Sequence, residues 1–456
     1  MHAKRSSRHE IERYARLFAE RSERVKTSAM RDMMSITDRP EVISLASGMP
    51  DTASFPKDLL ESVFVDMARN HSAELLQYTP TDGIAPVKQR ITEVMAAEGI
   101  RADIDNVLVT TGGQQAIDLI TRVLVDPGDT IITEAPTYPG AVPSFLSFEA
   151  EAVQIDLDEH GMRIDLLEQE LDRLDAAGIT PKFIYTVPTF QNPAGVTMSL
   201  ERRKRLVELA SERELLVIED NPYGMLRFSG EPVQTLRELD GGNFVIYLGT
   251  FSKILAPGLR MGWIEAPSPV IEKCNIAKAA ADLNSSGPAQ FLIESYFEQA
   301  DWHDWVRTAT GIYKSRRDAM LAALERYFPP EATWTHPEGG LFIWATLPDP
   351  IDTTDLLTRA LRSNVAFVPG AGAYLGSTPD PRGRNTMRLN FSGVPEEKIT
   401  EGIRRIGEVV EEQLDLWRTM TGEHRSVGSA AKEETDDPSD SNVSWLAGRK
   451  MKRRAG

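Results

Sequence analysis

The chain has 456 residues, 41% of them hydrophobic and 26% charged, which is enough for two domains around a substantial core. Acidic residues outnumber basic ones, 68 to 51, and the formal net charge of -17 argues against a broad nucleic-acid surface. A single cysteine, Cys274, excludes an internal disulfide. There is neither a long apolar run nor a signal-peptide core, so the reading is a cytoplasmic protein with no membrane partner.

Residues 1–27 read as an N-terminal arm rich in Arg, Glu and Ser. Ile11, Tyr14 and Phe18 share one helical face that suits packing on the body or on a partner subunit, and Met1 to Arg8 is expected to fray. Residues 28–55 form a segment joining the smaller domain. It holds a short helix from Ser28 to Ile36, with Met30, Met33 and Met34 inward and Arg31 available to point elsewhere. Extended chain from Val42 to Leu45 and a turn at Ser47-Gly48-Met49-Pro50 follow.

Residues 56–300 carry the pattern of a large domain. A helix from Pro56 to Asn70 leads to the loop Leu76 to Gly83, where Asp82 is placed to cap a helix from about Ile84 to Glu98, with Pro86 in its first turn. Strands and helices then alternate. The strands are Asn106 to Thr111, Thr130 to Thr133, Lys182 to Val187, Leu215 to Ile218 and Asn243 to Leu248, and Ser199 is placed to cap a helix to Glu212. Apolar strands separated by helices predict an α/β fold with a mostly parallel sheet covered on both faces. Ligand sites in such sheets lie beyond the carboxyl ends of the strands, where every polar cluster of this region falls.

Residues 301–420 change character and predict a smaller α+β domain. A helical stretch over about 288–327 leads into it, followed by a strand through Phe342-Ile343-Trp344 and a helix near 354–363. Strands Val365 to Val368 and Thr386 to Phe391 come next, then a closing helix from Glu396 to Trp417. Residues 421–456 read as a disordered polar tail.

The segment Tyr247 to Met261 carries the chemistry. A buried-type strand ends at Gly249, and Thr250, Ser252, Lys253 and Arg260 follow within a few residues. Alone, Lys253 reads equally well as a solvated loop lysine. Its neighbours suggest a lysine that holds pyridoxal phosphate through the cofactor's aldehyde, with two hydroxyls and an arginine for the phosphate. Gly112-Gly113-Gln114, between a strand and a helix, adds backbone N–H groups and a helix N-terminus. Asp220 at a strand end is placed either to pair with a pyridine nitrogen or to cap the turn before Asn221-Pro222. Asn192 and Tyr223 are candidates for the ring oxygen, and Tyr138 for stacking on the ring or for ordinary core packing. Arg388 lies inside an apolar strand, where it suits either a substrate carboxylate or an internal ion pair.

Taken together, these pieces resemble the class I/II aminotransferases of fold type I, and within them the 2-aminoadipate and kynurenine/aminoadipate branch. The resemblance spans about residues 28–415. It rests on Gln77-Tyr78-Thr79-Pro80-Thr81-Asp82-Gly83, Thr110 to Ala116, Phe190-Gln191-Asn192-Pro193-Ala194-Gly195, Glu219-Asp220-Asn221-Pro222-Tyr223, Gly249-Thr250-Phe251-Ser252-Lys253, Pro337-Glu338-Gly339-Gly340 and Phe367-Val368-Pro369-Gly370.

The resemblance implies a fold-type I PLP-transferase, with a mostly parallel seven-stranded sheet and a smaller domain. Lys253, Asp220 and Tyr223 are implied to be catalytic. Gly113, Gln114, Tyr138, Asn192, Thr250, Ser252 and Arg260 are implied to join them in binding pyridoxal 5'-phosphate, with Tyr78 reaching the phosphate of the neighbouring subunit in a homodimer with shared sites. Arg388, Asn192, Gly48, Arg31 and Tyr78 are implied for substrate, and no metal is called for. The family often has Ser where this chain has Gly113, so one hydroxyl contact is absent. The segment Asp282 to Ser286 is not diagnostic.

The implied reaction is a two-stage amino transfer from an L-amino acid to a 2-oxo acid, with 2-oxoglutarate as the acceptor and a 2-aminoadipate, aromatic or branched-chain donor. The rivals are a β-lyase or decarboxylase on the same cofactor, and an aminotransferase-like transcription regulator. The second is disfavoured by the short stretch before the matching region.

Overall fold

The structure, a computed structural model, describes residues 39–375 and 381–422, together with Tyr14, residues 17–19 and residues 21–24. The helix expected over Ser28 to Ile36, Arg31 within it, and the polar tail beyond Gly422 lie outside the described residues. So does Ile11; Tyr14 and Phe18, read as packing residues, are exposed on the single chain.

Among the described residues the strands are β1 (Ile43–Ser44), β2 (Val107–Thr110), β3 (Thr130–Ala135), β4 (Glu151–Asp158), β5 (Gly161–Met162), β6 (Phe183–Thr186), β7 (Leu216–Asp220), β8 (Val245–Thr250), β9 (Gly262–Glu265), β10 (Thr333–Trp334), β11 (Phe342–Thr346), β12 (Val365–Ala366), β13 (Val368–Pro369) and β14 (Thr386–Asn390). Eight of them form the central sheet in the order β2-β9-β8-β7-β6-β3-β4-β5. Strands β8, β7, β6, β3 and β4 are parallel neighbours. Strand β9 runs against both β8 and β2, so β2 points the same way as the parallel set. The expected seven strands are present, and β5 adds a two-residue return against β4. Helices cover both faces, which is why β6 and β8 are buried at every position instead of alternating.

The direction of the strands decides where the chemistry collects. Strands β2, β3, β6, β7 and β8 all end on one edge, at Thr110, Ala135, Thr186, Asp220 and Thr250. Gly262 at the start of β9 is registered with both Thr110 and Thr250, so the turn after β2 and the lysine segment after β8 stand side by side. A Cβ on Gly262 would come within 2.8 Å of the Gly112 carbonyl carbon, so only glycine lets the turn approach this closely.

A four-stranded antiparallel sheet, β10-β11-β14-β13, makes the second layer with the helices Trp302–Tyr327, Thr353–Arg362 and Glu396–Thr421. The early segment reaches this layer: β1 pairs in parallel with β12, and Asn390 N–H donates to the Leu45 carbonyl at 2.8 Å. No helix among the described residues is long and apolar enough to cross a membrane.

Three local expectations change. The helical stretch expected over 288–327 is two helices, Gly287–Gln299 and Trp302–Tyr327, because Ala300 is extended and Asp301 starts a new helix by accepting from His303 N–H at 3.0 Å. The strand expected from Val365 to Val368 is divided, with β12 pairing with β1 and β13 with β14. Asp82 does not cap the helix Ala85–Ala97. Its carboxylate pairs with the buried Lys88 at 2.8 Å, and Gln290 Oε1 takes the Ile84 N–H at 2.8 Å. Ser199 does cap its helix, accepting from Arg202 N–H at 3.3 Å.

Behind the sheet, Arg237 grips Glu265 through Nε at 2.5 Å and Nη2 at 2.6 Å, with Glu265 only 1% exposed. Removing one member of such a pair strands a charge in the interior. Arg237→Met is expected to cost about 3–5 kcal/mol of stability. A thermal unfolding midpoint equal to that of the unsubstituted protein would refute this.

Candidate active site

The site opens at the shared strand edge and is roofed by β14 and the chain just after β1. Lys253 follows Phe251 and Ser252 in the turn after β8. Its Nζ has one hydrogen-bond partner among the described residues, the Gly48 carbonyl at 2.9 Å. Burial, and then the positive charges of Arg388 and Arg260, lower its pKa to about 8. An amine with its pKa lowered to about 8 offers far more of the neutral, nucleophilic and basic form near neutral pH than a solvated loop lysine does.

Arg388, 2% exposed on β14, offers Nη2 to the Ala46 carbonyl at 2.8 Å and Nη1 to Asn192 Oδ1 at 3.0 Å. Its guanidinium carbon sits 4.4 Å from the centre of the Phe342 ring, and Nε is buried without a partner. No carboxylate is within ion-pair distance among the described residues, so the internal ion pair is not what Arg388 is for. Burial lowers its pKa to about 10, the signature of a cation waiting for an anion. Asn192 also donates from Nδ2 to Tyr223 Oη at 3.2 Å, which ties Arg388, Asn192 and Tyr223 into one row. Burial raises the Tyr223 phenol well above its ordinary pKa, so it stays a donor.

Asp220 ends β7 at 6% exposure. Burial raises its carboxyl to about 6, while Tyr185 Oη, donating to Oδ2 at 2.6 Å, pulls the other way. Oδ1 accepts nothing among the described residues, which suits a cationic ring nitrogen. Tyr138 is half-buried, and its phenol is raised by burial and then by the charge of Asp220, with Arg388 and Arg260 opposing, so it stands among all three.

At the other end of the cleft, Thr250 Oγ1 donates to the Met261 carbonyl at 3.0 Å, lies 2.9 Å from Ser252 Oγ and accepts the Ser252 N–H at 3.0 Å. Arg260, in the left-handed region at φ 51°, reaches back to the Thr111 carbonyl at 3.5 Å. Gly112, at φ 78°, precedes the helix Gly113–Leu124, and a Cβ there would lie 2.5 Å from the Arg260 guanidinium. A Cβ on Gly113 would meet nothing within 4 Å, so the helix N-terminus faces open space beside an exposed cation. The Gln114 side chain is turned to Ser144 Oγ, donating from Nε2 at 3.1 Å.

Several residues go unnoticed in sequence. Glu134 is buried inside β3 and pushed to about 7 by burial, and its carboxylate accepts from Thr186 Oγ1 at 2.5 Å, Val187 N–H at 3.2 Å and Gln191 Nε2 at 2.9 Å. It thereby fixes the loop that presents Asn192. A charged residue within an apolar strand, the signal that singled out Arg388, applies equally to Glu134. Tyr185 carried no such mark.

An amine of lowered pKa, a buried carboxylate with a free oxygen, and a cationic helix-turn cradle suit a phosphorylated aldehyde on a basic aromatic ring. Residues 40–406 match the family model described as aminotransferase class I and II. The chain is 45% identical over 405 residues to aromatic-amino-acid aminotransferase 1 of Thermococcus litoralis, covering 88% of this chain and 95% of that one. Among solved structures it is similar to a multiple substrate aminotransferase from Thermococcus profundus, at 43% identity and TM-score 0.83 over 88% of this chain and 99% of that one. It is also similar to an alpha-aminoadipate aminotransferase from Thermus thermophilus complexed with N-(5'-phosphopyridoxyl)-L-leucine, at 34% identity and TM-score 0.81, again over 88% and 99%. The chain belongs to the class I and II aminotransferases. It is a fold-type I enzyme that uses pyridoxal phosphate to move amino groups of amino acids.

Removing the Arg388 charge takes away one cause of the Lys253 shift, so the lysine pKa rises. Labelling of the cofactor-free protein by a reagent that attacks only neutral amines should therefore show a midpoint near about pH 8 at Lys253. In Arg388→Leu the midpoint should move to higher pH, and an unmoved or lower midpoint would contradict the electrostatic account.

Proposed function

We propose that Lys253 carries the aldehyde of pyridoxal phosphate and moves the proton at the substrate α-carbon, while Arg388 holds the α-carboxylate. The observation behind this is the row Arg388–Asn192–Tyr223, with its unpaired arginine, beside a buried amine of lowered pKa. When bound, the cofactor supplies a carbon that takes up an amino group and a ring that accepts electrons from the α-carbon. The protein's own groups do the rest. Asp220 keeps the ring nitrogen cationic by pairing with it, since opposite charges favour both ionised forms. Tyr223 and Asn192 hold the ring oxygen, and Tyr138 lies against the ring face. Gly113, the Gln114 N–H, Thr250, Ser252 and Arg260 hold the phosphate. Lys253, displaced by the incoming amine, serves as general base at fixed distance from the α-carbon.

The donor is an L-amino acid with an aromatic, branched or long acidic side chain, such as 2-aminoadipate, and the acceptor is 2-oxoglutarate. The relatives' named activities support this, as do the aromatic rings of Tyr138, Tyr223 and Phe342 around the carboxylate anchor. Gly48, whose carbonyl already meets Lys253, lines the substrate side, and Arg31 is assigned to the donor side chain by resemblance alone. Residues 56–300 and 301–420 serve as the large and small domains.

The working enzyme is a cytoplasmic homodimer. Leu76 and Tyr78 are 89% and 77% exposed on the single chain, and Phe64 is exposed as well. A second copy covers this face, and Tyr78 reaches the partner's phosphate. The loop is held for that purpose: Asn284 Nδ2 and Gln290 Nε2 both donate to Thr79 Oγ1 at 3.1 Å.

Initial rates with single amino acids and 2-oxoglutarate test the donor assignment, and turnover confined to small donors such as alanine would overturn it. Lys253→Ala should lower kcat by about 10²–10⁴-fold, the scale of a lost general base. Arg388→Leu should raise the donor KM by about 10–100-fold, the scale of lost hydrogen bonds to a charged group. Unchanged kinetics in either variant would sink the role of the residue replaced.

A further inference from the structure

Asp282 to Ser286, a segment with no role in the chemistry of Lys253 and Arg388, meets the cofactor turn. Asp282 follows the last residue of the helix Ser268–Ala281. Its Oδ1 pairs with Lys278 Nζ at 2.7 Å, one helical turn back, and the Lys278 side chain is fully buried. Its Oδ2 accepts from Thr111 Oγ1 at 2.9 Å and from Gln115 Nε2 at 2.7 Å. Those two residues bracket Gly112, Gly113 and Gln114. The Gln115 amide cannot turn round, because its Oε1 is already taken by the Thr111 N–H at 2.7 Å. The result is a closed ring of side-chain bonds whose one anchor outside the turn is the Asp282 carboxylate. Those donors draw the carboxyl below the ordinary aspartate range even though burial pushes it up.

We propose that Asp282 is a positioning residue for the cofactor-phosphate turn. It touches neither cofactor nor substrate. Instead, by holding Thr111 and Gln115 it sets the distance between the Gly113 N–H end of the helix and the guanidinium of Arg260, which leans on the Thr111 carbonyl. An anion bound between two partners gains most when both are already in place, because no ordering cost is left to meet on binding. Within the turn, Thr110 Oγ1 donates to the Gly112 carbonyl at 3.1 Å and the Gly112 N–H to the Thr110 carbonyl at 2.8 Å, and Asp282 adds the clamp that joins Thr111 to Gln115 from a separate element. The position takes on particular weight here because Gly113 brings no hydroxyl to the phosphate, so backbone geometry carries that contact. Lys278 fits the same role: a buried ammonium on Oδ1 orients the carboxylate so that Oδ2 faces the turn.

The proposal rests on the reading that this turn holds the phosphate, and two probes separate the two ideas. Apoenzyme is titrated with pyridoxal phosphate and with pyridoxal, which lacks the phosphate, and both dissociation constants are measured alongside thermal unfolding. Asp282→Asn should weaken pyridoxal phosphate binding by about tenfold, the scale of a lost charge-assisted hydrogen bond, and change pyridoxal binding by less than about twofold. Gln115→Leu, which removes both the bond to Asp282 and the bond from the Thr111 N–H, should act in the same direction, and the double variant should be no worse than the poorer single one.

Arg260→Ala serves as the control for the underlying reading. If it leaves the preference for the phosphorylated form intact, the phosphate assignment of the turn fails. If Arg260→Ala lowers that preference while Asp282→Asn and Gln115→Leu do not, the assignment stands and the positioning role is refuted. Equal weakening of both ligands by Asp282→Asn also refutes it, since a general loss of fold makes no distinction between them. Should Asp282→Asn fail to fold, Gln115→Leu decides by the same criterion.

Discussion

Two cations held out of water with only neutral partners govern this structure. Lys253 and Arg388 are met by the carbonyls of Gly48 and Ala46 and by the amide of Asn192, and by no carboxylate among the described residues. Desolvating a charge without pairing it is costly, and here the cost shows as pKa values pushed down to about 8 and about 10. The fold tolerates this because residues 43–45 are hydrogen-bonded to β12 on one side and to Asn390 of β14 on the other, which anchors the chain just ahead of the Ala46 and Gly48 carbonyls. In the proposed function, this unspent electrostatic potential is what an incoming carboxylate and phosphate relieve. Binding and reactivity therefore have the same physical source.

Buried carboxylates answer the cations from the sheet side, each with a different set of donors. Glu134 is saturated by a hydroxyl, a backbone N–H and an amide, and acts as a fastening for the Asn192 loop. Among the described residues Asp220 has a single side-chain donor, Tyr185, which leaves Oδ1 free. The difference matters for the proposed roles: a carboxylate satisfied inside the protein has nothing left for a ligand, and one with a free oxygen does. The same test sorts the arginines. Arg237 is fully engaged with Glu265, while Arg388 has a buried Nε with no partner.

Much of this was legible in the sequence. Runs such as Val-Ile-Tyr-Leu-Gly-Thr can only be strands buried on both faces, and their alternation with helices implies a parallel sheet with its chemistry on one edge. Ser199 capped its helix as its position suggested. Asp82 did not, because a lysine six residues on competed for its carboxylate and a glutamine from a distant helix took the N–H it was meant to meet. Local rules fail at such places because a partner far along the chain offers a better bond.

The sequence alone determined which residues have the right chemistry: a lysine among hydroxyls, an aspartate at a strand end, a glycine pair before a helix, an arginine inside an apolar strand. These are properties of side chains and of their spacing on one element. Tertiary structure alone decided which were left unpaired and what holds them there. Gly262 sets the Gly112 turn and the Lys253 segment side by side through a register with two strands at once. Asp282 reaches Thr111 across a separation of 171 residues in the chain. Burial, and the choice among distant partners, depend on every element being in place, and no local pattern encodes them.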